Sequence, residues 1–256
     1  MACDIDLYAN ESYRVNFNMK PWGDICQIKS ESIPDFDLLC AGFPCQSFSH
    51  IGPNGGLADS RGALIYQVFR ILEDKQPKSF ILENVKGLVS HNKGETLSYI
   101  IKRLKEAGYR TYYDVLEAKD FNLPQIRKRL FIVGIHKHYN VEFEFPKPLK
   151  SDLTLSDVLN GQAERQYAFT IRIGGRRSGI HNKFNWDCYI VDGKQRYLKV
   201  EECLQLQGFP VNFFLEGNAD QKLKQVGNSV PTTVVREIGQ QLLETGIFDR
   251  INESIS

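Results

Sequence analysis

The feature that most constrains the fold is a regular alternation of short apolar runs with amphipathic segments. Residues 37–41, 77–82 and 129–135 have the length and composition of buried strands, whereas 64–72 and 96–107 carry apolar side chains at helical spacing. Strands that alternate with helices predict an α/β sheet. In such sheets the chemistry lies at the carboxyl ends of the strands, where the chain turns into loops.

Three further segments extend this pattern. We expect 112–116 and 129–135 to form antiparallel neighbours, joined through the segment 121–127. Residues 2–5 have the composition of a strand end and are followed by a helical pattern, which predicts a short strand at the start of the chain. A proline-flanked stretch at 145–148 predicts an exit from the sheet, so the first part of the chain is expected to end at residue 148.

Composition argues against several classes of protein. The net charge is +1, so any contact with nucleic acid has to come from a local basic patch. The six cysteines include no Cys-x-x-Cys pair and no histidine at zinc-site spacing, which predicts a reduced protein without a metal site. An acidic N-terminus and the lack of a run of roughly 18 apolar residues argue against secretion and membrane insertion, and predict a cytoplasmic protein.

A basic patch of this kind lies between residues 165 and 199, where eight Lys or Arg stand against two Asp. Aromatic residues are interleaved with these cations. The sequence Gly-Gly-Arg-Arg at 174–177 predicts a flexible basic loop, suited to gripping phosphates or entering a groove of DNA. An ordinary solvated β surface has a similar composition, and the residues alone leave that alternative open.

Four residues whose side chains could take part in a reaction lie at or near the ends of the predicted strands. Cys45 comes directly after a proline that follows run 37–41, and Glu83 follows run 77–82 in an apolar setting that favours a raised carboxyl pKa. Arg127 and Arg129 are two apart on an extended segment, so they are expected to point to the same face. A cysteine alone is more often a buried structural thiol, and the other three residues favour the reactive interpretation.

Five motifs, taken in order, are similar to those of one known family. They are 42–49 (Gly-Phe-Pro-Cys-Gln-Ser-Phe-Ser), 83–86 (Glu-Asn-Val-Lys), 125–129 (Gln-Ile-Arg-Lys-Arg), 201–210 (Glu-Glu-Cys-Leu-Gln-Leu-Gln-Gly-Phe-Pro) and 227–230 (Gly-Asn-Ser-Val). The chain resembles the DNA (cytosine-5) methyltransferases of the bacterial restriction-modification type over nearly its whole length. The resemblance implies an α/β fold with a Rossmann-like sheet that uses S-adenosylmethionine, and a small, mostly β target-recognition domain.

The same resemblance divides the chain and assigns a reaction. Residues 1–148 form the catalytic domain, 149–197 the target-recognition region, and 198–256 return to the catalytic domain. Cys45 adds to C6 of a cytosine flipped out of duplex DNA, while Glu83 stabilises the ring at N3 and the exocyclic amine. The other residues implied at the base and DNA are Arg127, Arg129, Gln125, Ser49, Arg172, Arg176 and Arg177.

The methyl donor implied by the resemblance is S-adenosylmethionine. Asp4 would take the ribose position, with Ile5 against the adenine and Asp24 along its edge. The full set implied for the donor pocket is Asp4, Ile5, Asp24, Ile25, Pro44, Leu64, Asn228 and Ser229.

The sequence departs from the family at its start, because the opening strand and the glycine-rich loop (Phe-x-Gly-x-Gly-Gly) have no counterpart. The sheet is expected to lack its first strand, which would leave unpaired backbone groups beside the gap. A truncated product, one subunit of a split methyltransferase and a decayed copy are the three explanations. The chain alone is then expected to bind S-adenosylmethionine weakly and to need a complementing N-terminal segment or subunit.

Two other functions stay open at this point. Relatives that methylate tRNA cytosine carry a Cys-Phe-Thr element where this sequence has Cys-Leu-Gln at 203–205, which favours duplex DNA as the substrate. A silent DNA-binding subunit is consistent with the missing donor loop but leaves the retained Cys45, Glu83, Arg127 and Arg129 without a purpose. The recognised DNA sequence does not follow from the residues.

Overall fold

The computed structural model describes residues 1–44 and 63–249. Its helices are α1 (Leu7–Phe17), α2 (Ala63–Lys75), α3 (Glu95–Glu106), α4 (Leu155–Leu159), α5 (Val200–Leu206), α6 (Ala219–Asn228) and α7 (Thr232–Glu244). Its strands are β1 (Leu38–Gly42), β2 (Ser79–Val85), β3 (Tyr109–Glu117), β4 (Lys128–His136), β5 (Cys188–Val191) and β6 (Lys194–Tyr197). Short 3-10 turns lie at Ile25–Gln27, Ser30–Ser32, Lys86–Val89, His91–Gly94 and Ala118–Phe121.

Four strands form one mixed sheet in the order β1-β2-β4-β3. Strands β1 and β2 are parallel, whereas β4 runs antiparallel to both β2 and β3. The antiparallel pairing of β3 with β4 confirms the sequence prediction for 112–116 and 129–135. Because β4 is reversed, its amino end meets the carboxyl ends of β1 and β2, and we call this meeting place the active edge.

Helices cover both faces of the sheet because successive side chains of each strand point to opposite sides. In β2, Phe80 and Leu82 are fully buried against α2 and α3. Ile81, between them, packs on the other face in a cluster that includes Ile238 of α7. Two apolar faces explain why run 77–82 has no polar alternation. The result is a layer of helices, the sheet and a further helix.

Strand β1 lies at one edge of the described sheet and pairs only with β2 within the described residues. Its residues are half-buried or exposed, and Cys40 is exposed. The prediction of a strand at residues 2–5 is wrong, because this segment is irregular in the structure. A four-residue strand needs a neighbouring strand, and the segment instead makes one backbone bond to Trp22, whose N–H donates to the carbonyl of Ala2 at 2.8 Å.

The region at 149–197 contains helix α4 and the antiparallel hairpin β5-β6, so regular β structure is confined to this hairpin. Its fully buried Trp186 and Tyr189 share a hydrophobic cluster with Leu206 of α5 and Val226 of α6. This shared core attaches the region to the helices that follow it in the chain. No helix within the described ranges is both long and apolar enough to cross a membrane.

Candidate active site

An ion pair between Glu83 and Arg129 occupies the active edge. The pairing register places Gly42 beside Glu83 and Val85 beside Arg129, which brings the two charged side chains together. Arg129 Nε lies 2.9 Å from Glu83 Oε1, and the two side chains are only 13% and 16% exposed. Two residues that are 46 positions apart in the sequence therefore meet at the active edge.

The Glu83 carboxyl is perturbed by its surroundings. Burial raises its pKa above the ordinary value, and the positive charges of Arg129 and Arg127 offset this rise only in part. A carboxyl with a raised pKa keeps a proton closer to neutral pH, so it can act as an acid or as a hydrogen-bond donor to a ring nitrogen. This agrees with the raised pKa that the apolar sequence around Glu83 predicts.

The adjacent Asn84 was not identified by sequence reasoning as a site residue. Asn84 is buried, and its Nδ2 donates to the backbone carbonyl of Phe43 at 2.7 Å. It thereby fixes the backbone just before Pro44, at the point where β1 leaves the sheet. An asparagine inside a run of buried strand residues is the sequence signal that marks it, because a buried amide needs a partner. Cys45 and Ser49 lie outside the described residues.

Arg127 is nearly fully buried, with 1% of its surface exposed. Its Nη1 donates to the carbonyl of Ile171 at 2.9 Å, and its Nη2 donates to those of Gly227 at 2.9 Å and Ser229 at 2.7 Å. Burial, together with repulsion from Arg129, lowers the pKa of Arg127 to about 9, so the group remains a cation at neutral pH. Its Nε is buried without a hydrogen-bond partner among the described residues.

Gln125 is completely buried. Its Oε1 accepts from the N–H of Ile171 at 3.1 Å, and its Nε2 donates to the carbonyl of Leu206 and to Gln207 Oε1, each at 2.9 Å. All of these partners are interior groups. The structure therefore places Gln125 in a supporting position beneath the site and not on a surface that faces DNA.

The predicted donor residues fall into two groups in the structure. The first joins the start of the chain to α6, because Lys224 Nζ lies 2.6 Å from an oxygen of Asp6, two residues after Asp4. Helix α6 begins with a capping box at Asn218 and ends at Asn228, beside Ser229. In the second group, Arg70 of α2 donates to carbonyls of the turn that carries Ile25. That turn begins at Asp24, whose carboxylate accepts from the N–H of Cys26.

The residues predicted to bind the donor differ in their exposure. Asp4 is exposed, with one carboxylate oxygen accepting from the N–H of Asp6 at 2.8 Å. Ile5 beside it is 75% exposed, which is unusual for an isoleucine. Ser229 lines a cavity of about 240 Å³ that also contacts α1. Pro44 and Leu64 are half-buried on either side of the segment that is not described.

Hydrogen bonds and an ion pair anchor the basic loop at 174–177, for which the glycines predict flexibility. Trp186 Nε1 donates to the carbonyl of Gly174 at 2.9 Å, and the buried Asp187 carboxylate accepts from the N–H of Arg177. Arg176 is paired with Asp220 of α6. The Arg177 side chain is exposed and makes no hydrogen bond or ion pair within the described part of the chain. A neighbouring arginine, Arg172, donates to a backbone carbonyl at 2.7 Å.

Comparison with known proteins agrees with the geometry. The family model of the C-5 cytosine-specific DNA methylases matches residues 1–181 and 160–244. The Type II methyltransferase M.DsaV of Dactylococcopsis salina is 38% identical, over 94% of this chain and 78% of that protein. M.HhaI of Haemophilus parahaemolyticus is 34% identical, over 93% of this chain and 85% of that protein. 

Solved structures show the same fold. The Entamoeba histolytica methyltransferase EhMeth superposes with a TM-score of 0.74 at 18% identity, covering 98% of this chain and 90% of that one. A putative DNA modification methyltransferase encoded within an E. coli prophage gives a TM-score of 0.73 at 20% identity, covering 96% and 92%.

This chain belongs to the family of C-5 cytosine-specific DNA methylases. The resemblance drawn from the five motifs, including its restriction-modification type, is confirmed, and so is the Rossmann-like methyltransferase fold. The roles of individual site residues and the division into domains stay predictions.

Proposed function

We propose that this chain transfers a methyl group from S-adenosylmethionine to C5 of cytosine in duplex DNA through a covalent bond to Cys45. The observation that carries the proposal is the buried Glu83–Arg129 ion pair at the edge of the sheet where β1 delivers the chain to Cys45. Such a pair supplies an acidic carboxyl and a cation on one side of the flipped cytosine. The Cys45 thiol would lie on the other side.

The steps balance without a further reactant. The Cys45 thiolate adds to C6, and Glu83 offers its proton at N3, so the electron pair of the C5–C6 double bond becomes available at C5. S-adenosylmethionine, when bound, would supply an electrophilic methyl group to C5 and leave as S-adenosylhomocysteine. Loss of the C5 proton to water then expels the thiolate from C6 and restores the double bond, while the N3 proton returns to Glu83. Arg129 limits the pKa of Glu83. We assign Arg127 Nε, which has no hydrogen-bond partner among the described residues, as a donor to the cytosine or to a residue near Cys45.

We assign the donor to the two groups of residues described above. Asp4 is suited to accept hydrogen bonds from the ribose hydroxyls, and the exposed Ile5 to cover an adenine face. Asn228 and Ser229 follow at the end of α6, with Asp24, Ile25, Pro44 and Leu64 completing the set. Within the described residues one edge of β1 has no paired strand, and we expect it to accept a strand from a complementing segment or subunit, because an unpaired strand edge presents N–H and C=O groups that can pair with another chain.

We assign the reading of guanine edges chiefly to Arg177. Arginine binds the O6 and N7 atoms of guanine with two parallel hydrogen bonds, which requires an unoccupied guanidinium. Arg177 meets this requirement in the described part of the chain, whereas Arg176 is engaged by Asp220 and Arg172 by a carbonyl. Those two residues position the loop or contact phosphate in this assignment.

A duplex in which 5-fluorocytosine replaces cytosine tests the proposal, because fluorine at C5 cannot leave as a proton does and the covalent intermediate persists. Random-sequence duplexes are incubated with the chain and S-adenosylmethionine, with and without a peptide of the Phe-x-Gly-x-Gly-Gly pattern. We expect a denaturation-resistant adduct that is lost on Cys45→Ser. The exposed Cys26→Ser is the matched control and should keep the adduct.

Two outcomes would contradict the proposal. Tight binding of DNA with no adduct, even with the added peptide, would identify a silent DNA-binding subunit. An adduct that survives Cys45→Ser would assign the chemistry to another nucleophile. Separately, micromolar binding of S-adenosylmethionine to the chain alone in a calorimetric titration would refute the need for a complementing segment.

A further inference from the structure

A buried glutamine, Gln207, lies outside the proposed catalytic site and links the segment around Ile171 to the turn at Ser229. Gln207 follows α5 and is completely buried. Its Oε1 accepts from Gln125 Nε2 at 2.9 Å, and its Nε2 donates to Ser229 Oγ at 2.9 Å, to Ser229 O at 3.1 Å and to Val226 O at 3.0 Å. Both ends of the amide are therefore occupied, which fixes its orientation.

This amide completes a directional chain between two distant backbone positions. The N–H of Ile171, in the recognition region, donates to Gln125 Oε1. Gln125 donates to Gln207, and Gln207 donates to Ser229, in the turn assigned to the donor. Every member of the chain has a fixed donor or acceptor role, so a displacement at one end changes the geometry at the other.

A second connection joins the same two positions. Arg127 donates to the carbonyl of Ile171 through Nη1 and to that of Ser229 through Nη2. The two backbones also pass close to each other at Gly227, where a Cβ would lie 3.2 Å from the carbonyl carbon of Arg172 and 3.4 Å from the nitrogen of Ile173. Residues 171–173 and 227–229 are thus joined by two polar bridges at a place where the backbones approach closely.

We propose that Gln207 is a positioning residue that couples the recognition loop to the donor turn, so that binding of DNA and binding of the donor reinforce each other. The inference rests on the proposed function. Residues 171–173 lead into the basic loop that carries Arg177, and 227–229 carry Asn228 and Ser229. Coupling free energy between two sites is reciprocal, so DNA should order the turn and the donor should favour DNA.

Gln207→Met tests the coupling while keeping the length of the side chain. Ser229 O retains Arg127 as a donor, and Val226 O retains the Ser229 hydroxyl, so the surrounding groups keep partners and the fold should persist. The matched control is Gln205→Met, two residues earlier on α5, because Gln205 is half-buried and outside the bridge. Thermal unfolding of both variants checks that each remains folded.

The measurement is hydrogen exchange of the peptide covering 224–231, with and without short random-sequence duplexes at low salt. In the wild type and in Gln205→Met, we expect DNA to slow exchange in this peptide by about fivefold or more, the lower end of usual coupling between sites. In a folded Gln207→Met, the slowing should be lost while exchange at 165–177 still responds to DNA. The affinity of the same duplexes with and without S-adenosylhomocysteine gives the reciprocal measure.

The outcomes separate this inference from the proposed function. DNA that protects both 165–177 and 224–231 in Gln207→Met as in the wild type would overturn the coupling role and leave the proposed function intact. DNA that binds the wild type without protecting 224–231 would overturn it as well. A wild type that binds no duplex at any salt concentration would overturn the proposed function, and the coupling with it.

Discussion

Removing the positive charge of Arg129 should raise the pKa of Glu83 further. At a charge separation of about 4 Å and an effective dielectric constant of about 20, two unit charges interact by about 4 kcal/mol. Arg127 still acts on Glu83, and both partners of the pair are slightly exposed, so this figure is an upper bound and we expect Arg129→Met to raise the pKa of Glu83 further above its ordinary value.

Carbon-13 NMR titration of the labelled glutamate carboxyls measures this shift directly, and Glu83→Gln identifies the resonance of Glu83. Lys128→Met is the matched control, because it removes the same charge from the adjacent residue. Lys128 lies on the other side of the strand, 3.3 Å from Glu117. Its removal should leave the pKa of Glu83 unchanged, since exposed charges are well screened.

The raised pKa of Glu83 also makes the free energy of unfolding depend on pH. The folded-state pKa of Glu83 is raised above its unfolded value, so the folded state binds more protons and loses stability as pH rises between the two values. Arg129→Met should extend this loss to higher pH, measured as urea midpoints across the pH range. An unchanged or lowered Glu83 pKa in Arg129→Met would refute the electrostatic account of the ion pair.

Two further predictions concern packing and recognition. In Gly134→Ala, the new methyl group would overlap the buried ring of Phe80, and we expect a loss of about 3 kcal/mol in urea unfolding. Gly239→Ala, at an open position in α7, should instead gain about 0.5 to 1 kcal/mol, and equal effects of the two changes would contradict the packing argument. Asp187→Ala releases the basic loop, so methylation of a random-sequence duplex library, followed by bisulfite sequencing, should show relaxed sequence preference. Asp187→Asn, which keeps an acceptor for the loop, should retain the preference of the wild type, and the same relaxation in both variants would argue against this anchor.

The order of strands and helices was predictable because the patterns that encode it are local. The apolar spacing of Leu97, Ile100 and Leu104 predicts α3, and the structure buries all three. The sequence placed Glu83 after one predicted strand and Arg129 at the start of another, but it did not predict the ion pair between them. The strand predicted at residues 2–5 failed for the opposite reason, since a strand depends on a neighbour that local composition does not describe.

The buried hydrogen-bond network of Gln125, Arg127 and Gln207 could not be predicted from the sequence. The sequence predicts that Arg127 is a cation at the surface or in contact with the cytosine. In the structure it donates to backbone carbonyls that lie 44, 100 and 102 positions further along the chain. Gln207 sits in a motif whose apolar residues dominate the pattern. A glutamine directly after Leu206 at the end of a buried helix was the available signal, because an interior amide has to find partners. Which partners it finds depends on tertiary contacts.

The bridges to the recognition region end on main-chain atoms. Gln125 and Arg127 bind the N–H and the carbonyl of Ile171, and Gly227 lies close to the backbone of Arg172 and Ile173. Every amino acid except proline offers the same backbone groups, so the attachment does not depend on which side chains the region carries. In the proposed function, the arginines assigned to reading DNA are thus open to replacement while the docking geometry persists. A new sequence preference would then need changes in a single loop only.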